Sequence, residues 1–141
     1  MNCANYFVPL QAKRIKLKRL LYIFLLFGVL DSLAQPKYEV RAVWLTTLGG
    51  LDWPRNYAHY GMGIETQKQQ FCQMLDRLKK AGVNTVLLQV RVRATTIYPS
   101  SIEPWDGCMS GEPGVSPGYD ALQFAVDECH RRGLELHAWL D

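Results

Sequence analysis

Two stretches of this chain leave a helix in the same way. "KKAGVNTVLLQV" (79–90) and "HRRGLELHAWL" (130–140) each run from basic residues through a glycine and an apolar residue into a strand-like segment, about 50 residues apart. A glycine just past a basic helix end is a stop signal, and the apolar run behind it reads as a strand. With "VRAVWLTT" (40–47) ahead of both, the order becomes β-α-β-α-β. Strands that each follow a helix favour parallel pairing through right-handed crossovers. The expected fold is therefore α/β, a parallel β-α-β-α-β segment. Its strands run over Val40 to Thr47, Thr85 to Val92 and Leu134 to Leu140. Its helices run from an N-cap at Thr66 to about Ala81, with Phe71, Leu75 and Leu78 on the apolar face, and from about Tyr119 to Arg132, with Leu122, Ala125, Val126 and Cys129.

The connections are unequal. The helix-to-strand turns are tight, whereas the segments that leave strands, 48–65 and 93–118, are long. Loops beyond about 12–15 residues are uncommon unless they serve a function or stay disordered. In α/β sheets and barrels the ligand site lies at the carboxyl ends of strands. That edge is the expected working face.

Side chains alternate across a strand, so parity separates its faces. Val86, Leu88, Val90 and Val92 share one face and suit a helix; Leu87, Gln89, Arg91 and Arg93 share the other. Leu134, Leu136, Ala138 and Leu140 likewise oppose Glu135, His137, Trp139 and Asp141, and Ala42, Trp44 and Thr46 alternate with Val43, Leu45 and Thr47. Each polar-face residue has a structural reading too. The arginines would suit a solvated sheet face, His137 a satisfied core position, and Trp44 and Trp139 core filling. Taken together at one edge they form a polar-aromatic pocket that suits a sugar: pyranose faces stack on indole or phenol rings, and hydroxyls take fixed donors and acceptors. The candidate substrate-binding residues are Trp44, Gln89, Arg91, Arg93, Tyr98, Trp105, His137 and Trp139. The loop carboxylates Glu103 and Asp106 and the strand-end Asp141 are the carboxylates near that edge. Pro99, Pro104, Pro113 and Pro117 restrict the loop backbone and lower the entropy cost of holding a surface.

Ahead of this region, Lys13 to Arg19 is basic, Leu20 to Leu30 is apolar apart from one glycine, and Ser32-Leu33-Ala34 places small residues at a cleavage site. That is the pattern of a secretory signal peptide over 1–34. The apolar run is shorter than the ~20 residues of a membrane span, so an uncleaved anchor is the weaker alternative. Export to the periplasm or the exterior is expected, with no stable anchor after cleavage. Removing the leader's five Lys/Arg and one Asp from the chain's 16 and 13 leaves 11 bases against 12 acids. Nucleic acid, which rewards clustered Lys/Arg, loses its main support as a partner. The 107 residues after the leader keep Cys72, Cys108 and Cys129. An odd count leaves one thiol free in a monomer, and Cys72 and Cys129 fall in helices, where they read as small buried hydrophobes. No zinc-type or CxxC spacing is present, nor GxSxG, HExxH or a P-loop; "GMGIET" (61–66) lacks the third glycine of a dinucleotide turn. No metal or cofactor is expected.

"VRAVWLTT", "AGVNTVLLQVRVRATTIYPSSIEPW" and "GYDALQFAVDECHRRGLELHAWL", in that order, resemble the N-terminal part of the glycosyl hydrolase-like 10 family over about Tyr38 to Leu140. The resemblance implies an exported bacterial protein with a (β/α)8 barrel domain, cleaving glycosidic bonds of a cell-wall or other complex glycan. A barrel of this type needs eight strands, usually ~250 residues; this chain supplies three, so 35–141 is expected to be the N-terminal part of an incomplete barrel. In related sugar-cleaving barrels the acid and nucleophile stand at the ends of later strands, mostly the fourth and seventh. On that layout both lie beyond Asp141, the chain by itself is inactive, and Asp141, Asp106 and Glu103 are weak catalytic candidates. Two other readings stay open: a non-catalytic carbohydrate-binding α/β module, and a truncated product without function of its own.

Overall fold

The structure, a computed structural model, describes residues 39–141; the leader inferred above lies outside the described residues. Four strands and three α-helices follow in chain order: β1 (Ala42–Leu45), α1 (Ile64–Lys80), β2 (Thr85–Val92), β3 (Thr95–Thr96), α2 (Gly107–Ser110), α3 (Ala121–Arg131) and β4 (Glu135–Leu140). A 3-10 turn, Leu48–Gly50, follows β1 directly.

The sheet is mixed. β2 pairs in parallel with β1 on one side and with β4 on the other, while β3 pairs with it antiparallel. The Val90 carbonyl accepts from Ile97 N–H and the Arg91 carbonyl from Asp141 N–H. Successive strand carbonyls point to opposite edges, so β3 extends the edge already held by β1. From the sequence, 93–118 reads as one long loop. It instead folds back at once as a two-residue hairpin, and β3 and α2 are the elements that parity and periodicity over so few residues do not reveal.

Both main helices close on one face of the sheet. Leu45, Val86, Leu88 and Val90 form a single buried cluster with Phe71 and Leu75 of α1 and Ala121, Ala125 and Cys129 of α3. Trp53, 1 % exposed, is driven into the same cluster with its ring centroid 4.8 Å from that of Phe71. The helix exits are built alike. Val83 N–H donates to the Leu78 carbonyl and Leu134 N–H to the Cys129 carbonyl, the six-to-one bond that closes a helix at glycine.

The helix starts depart from expectation. α1 begins at Ile64, with Gly63 and not Thr66 at the cap, because Gly63 adopts φ +85° and turns the incoming loop sharply onto the helix axis. α3 begins at Ala121, capped by the Asp120 carboxylate, which accepts from Gln123 N–H. α1 and α3 are joined by charge. Arg132 donates to both Asp76 and Glu128, Arg131 also reaches Glu128, and the Cys72 thiol donates to Glu128 at 3.2 Å. Cys72 is therefore a half-buried hydrogen-bonding group outside the core cluster, not the buried hydrophobe expected, whereas Cys129 is fully buried within it. Burial and the Glu128 carboxylate push the Cys72 thiol up, and burial pushes Cys129 up to about 11.

Candidate functional site

The register places the polar faces of the three parallel strands in rows. Trp44, Leu87 and His137 are aligned across β1, β2 and β4, and Gln89 is aligned with Trp139 in the next row toward the carboxyl ends. This face is opposite the helices. Trp44 and Trp139 meet edge to face, with centroids 5.0 Å apart. Trp44 is 59 % exposed, so its ring remains open to a ligand.

Gln89 is the organising residue. It is 1 % exposed, and its Oε1 accepts from Thr46 Oγ1 at 2.6 Å, Thr47 N–H at 3.2 Å and Leu48 N–H at 3.3 Å. Its Nε2 donates to Asp141 Oδ2 at 3.4 Å. One buried amide thus fixes the turn after β1 and faces the carboxylate at the end of β4. Asp52 closes the same turn by accepting from Thr46 N–H at 2.9 Å.

Arg91 extends the network outward. Its Nε and Nη2 donate to Glu103 at 2.6–2.9 Å, a fork-to-carboxylate pair, and Nη1 donates to the Asp141 carbonyl at 2.8 Å. Guanidinium planarity makes such two-point contacts directional as well as strong. Hydrogen bonding and charge from Arg91 hold the Glu103 carboxyl below its ordinary value. A carboxylate kept ionised in this way is unsuited to donating a proton at neutral pH. Asp106 is also committed: it caps α2 by accepting from Cys108 N–H at 2.7 Å and takes a short bond from Thr95 Oγ1. Asp141, at the end of β4, faces Gln89 on the sheet face opposite the helices.

The other expected residues are spread along the rim. Arg93 does not continue the alternation. The strand ends at Val92, and Arg93 and Ala94, with φ of 49° and 59°, form the hairpin turn, which leaves Arg93 exposed. His137 is also exposed and lies 3.6 Å from Glu135 on the same strand face. Trp105 bridges to Thr96, and the backbone of 104–106 is held by Thr96 N–H to the Pro104 carbonyl and Asp106 N–H to the Thr96 carbonyl. Tyr98 stands apart, lining an open groove with Pro99, Leu122, Val126, Leu136 and Ala138 on the helix side of β4. Among the described residues no three His, Cys, Asp or Glu side chains gather to hold a metal ion, and no helix is long and apolar enough to cross a membrane.

Sequence reasoning missed two supports. Thr46 shares a strand face with Trp44 by parity, yet its role emerges only with Gln89 beside it. Gln67 lies in the stripe of α1 with Phe71 and Leu75 and is fully buried. Its Nε2 donates to the Asn56 and Met109 carbonyls at 2.6 and 2.8 Å, and its Oε1 accepts from Tyr119 Oη at 2.8 Å. It therefore ties the two long loops to a helix. A polar residue at the spacing of an apolar stripe was the available signal.

The sequence profile of the family described as Glycosyl hydrolase-like 10 matches residues 39–141. The chain is 40 % identical over 108 residues to "Glycosyl hydrolase YngK" of Bacillus subtilis, covering 77 % of this chain and 21 % of that protein. It is also 40 % identical over 111 residues to "Glycosyl hydrolase DigH" of Escherichia coli, covering 76 % of this chain and 25 % of that one. The chain thus spans about a fifth to a quarter of the length of these curated relatives. With all of its described residues inside that match, the chain belongs to the glycosyl hydrolase-like 10 family.

Proposed function

We propose that residues 35–141 form the opening segment of a (β/α)8 barrel in an exported enzyme that cleaves glycosidic bonds of a cell-wall or other complex glycan. In this reading the segment binds sugar and does not by itself cut it. The observation that carries the reading is the convergence of Trp44, Trp139, Gln89, Arg91 and Asp141 on one open sheet face at the carboxyl edge of parallel strands. Two features of the sheet are those that the first units of a barrel would show. The parallel strands are adjacent in chain order, and both main helices share one buried cluster on one face. The open groove beside Leu136 and Ala138, lined also by Leu122, Val126, Asp120 and Gln123, is where a further strand and helix would pack.

The carboxylates support the division of labour. Glycoside hydrolysis needs two, about 5–5.5 Å apart for retention or about 6.5–9.5 Å for inversion. Glu103 is bound to Arg91 and Asp106 to a helix cap, so among the described residues at this edge Asp141 has no second carboxylate free of such partners. The acid and its partner then belong to later strands of a longer polypeptide. A reducing-end assay on purified cell-wall glycan tests this. The 141-residue chain is expected to release no new reducing ends. Release that disappears in Asp141→Asn or Glu103→Gln would overturn it.

A further inference from the structure

We infer that the loop between β1 and α1 carries a second, outer sugar platform, built on Tyr57 and Tyr60, that grips a glycan chain beyond the inner-face site. The inference rests on the glycan-binding reading above and adds to it the length of chain recognised.

Three observations carry it. The first is exposure without looseness. Tyr57 and Tyr60 are 64 % and 79 % exposed, yet the backbone beneath them is clamped to the second long loop. Ala58 N–H donates to the Met109 carbonyl at 2.8 Å, His59 Nδ1 donates to the Ser110 carbonyl at 3.1 Å, and buried Gln67 holds the Asn56 and Met109 carbonyls together. The Tyr57 ring packs against Gly111, where an added Cβ would stand 3.2 Å from it. Rings carried on a clamped backbone bind sugar faces with less entropy to lose than rings on a free loop.

The second observation is backbone strain at Tyr60. His59 pairs with Met62, and the two residues between them turn with φ of 48° at Tyr60 and 82° at Gly61. A left-handed aromatic residue is rare, and such outliers cluster at ligand sites. A glycine or asparagine would make this turn without strain, so the ring is retained at a cost. His59 supports it edge to face at 4.2 Å.

The third is position. Gly49, Gly50, Leu51, Pro54, Arg55 and Tyr57 line an open groove of about 390 Å³. Ligand clefts commonly measure ~300–1,000 Å³. The groove begins one residue after Leu48, whose N–H is held by Gln89. The amide that faces Asp141 therefore also anchors the start of this groove. Arg55 lines the groove with Tyr57 and supplies a donor for hydroxyls there, and Tyr60 follows three residues on at the exposed turn.

Calorimetric titration of the chain with β-1,4-linked chito- and cello-oligosaccharides of two and six units tests the platform. Wild type is expected to bind hexamer more tightly than dimer. Tyr60→Gly is expected to melt no lower than wild type, since it relieves the turn, yet to weaken hexamer binding roughly fivefold or more while leaving dimer binding unchanged; stacking contacts are worth about 1 kcal/mol each. Tyr57→Ala should show the same length-dependent loss. Equal affinities for hexamer in wild type and both variants, with dimer binding intact, would overturn the platform and leave the inner-face reading standing. Absence of binding to any oligosaccharide in wild type would overturn both.

Discussion

Arg91 shows how a single residue serves both binding and order. Its fork is engaged by Glu103 and its third nitrogen by the Asp141 carbonyl, so it ties the rim loop and the end of β4 to the central strand. One hydrogen on each terminal nitrogen is left for a ligand, given the five that a guanidinium carries. Gly63 is the residue on which the approach to α1 depends. At φ +85° an added Cβ would lie 2.5 Å from the Tyr57 carbonyl oxygen and 2.8 Å from Asn56 Nδ2. Gly63→Ala must therefore bear left-handed strain and displace backbone, and a loss of roughly 2–4 kcal/mol is expected in a urea melt. Because the displaced backbone carries Tyr57, the same variant should weaken oligosaccharide binding; a melt within about 0.5 kcal/mol of wild type would contradict the cap geometry.

At the scale of elements, the contact between α1 and α3 combines apolar packing with a charge network. Burial raises the Glu128 carboxyl, but hydrogen bonds from Arg132, Cys72 and Arg131 outweigh it and hold the group below its ordinary value of 4.5. A carboxylate with a depressed folded pKa stabilises the fold fully above its unfolded value and loses that contribution as pH falls through the folded one. Glu128→Gln is expected to lower stability by roughly 1–3 kcal/mol at pH 7, from the guanidiniums left without a charge partner, and to flatten the decline below about pH 4.5. Thermal melts of both proteins between pH 3 and 7 read this out; parallel curves would contradict it. The helices, the strands and the two faces of β2 were legible because period and parity are local and the helix stops are marked by glycine. β3, α2 and the turn at Arg93 were not, since they arise where a strand folds back on its own end. The loop clamp at Gln67 was illegible for a related reason: its partners, Asn56, Met109 and Tyr119, are up to 52 positions away in sequence.

For the whole molecule, the sheet presents a helix-covered face and an open one, and the open one gathers the aromatic and polar groups. The apolar exposure is also uneven. Trp44 lies on the open face, whereas Leu136 and Ala138 border a groove on the helix side of β4. The first suits a sugar ring and the second suits a neighbouring strand and helix, as the barrel reading requires. The central claim is that the open face binds sugar, and the Trp44–Trp139 pair reports on it directly. Tryptophan fluorescence of the chain, titrated with β-1,4-linked oligosaccharides, should shift saturably. Trp139→Ala should weaken binding about tenfold, the value of one well-stacked ring with its lost packing. No saturable shift in wild type, or an unchanged midpoint in Trp139→Ala, would contradict the account.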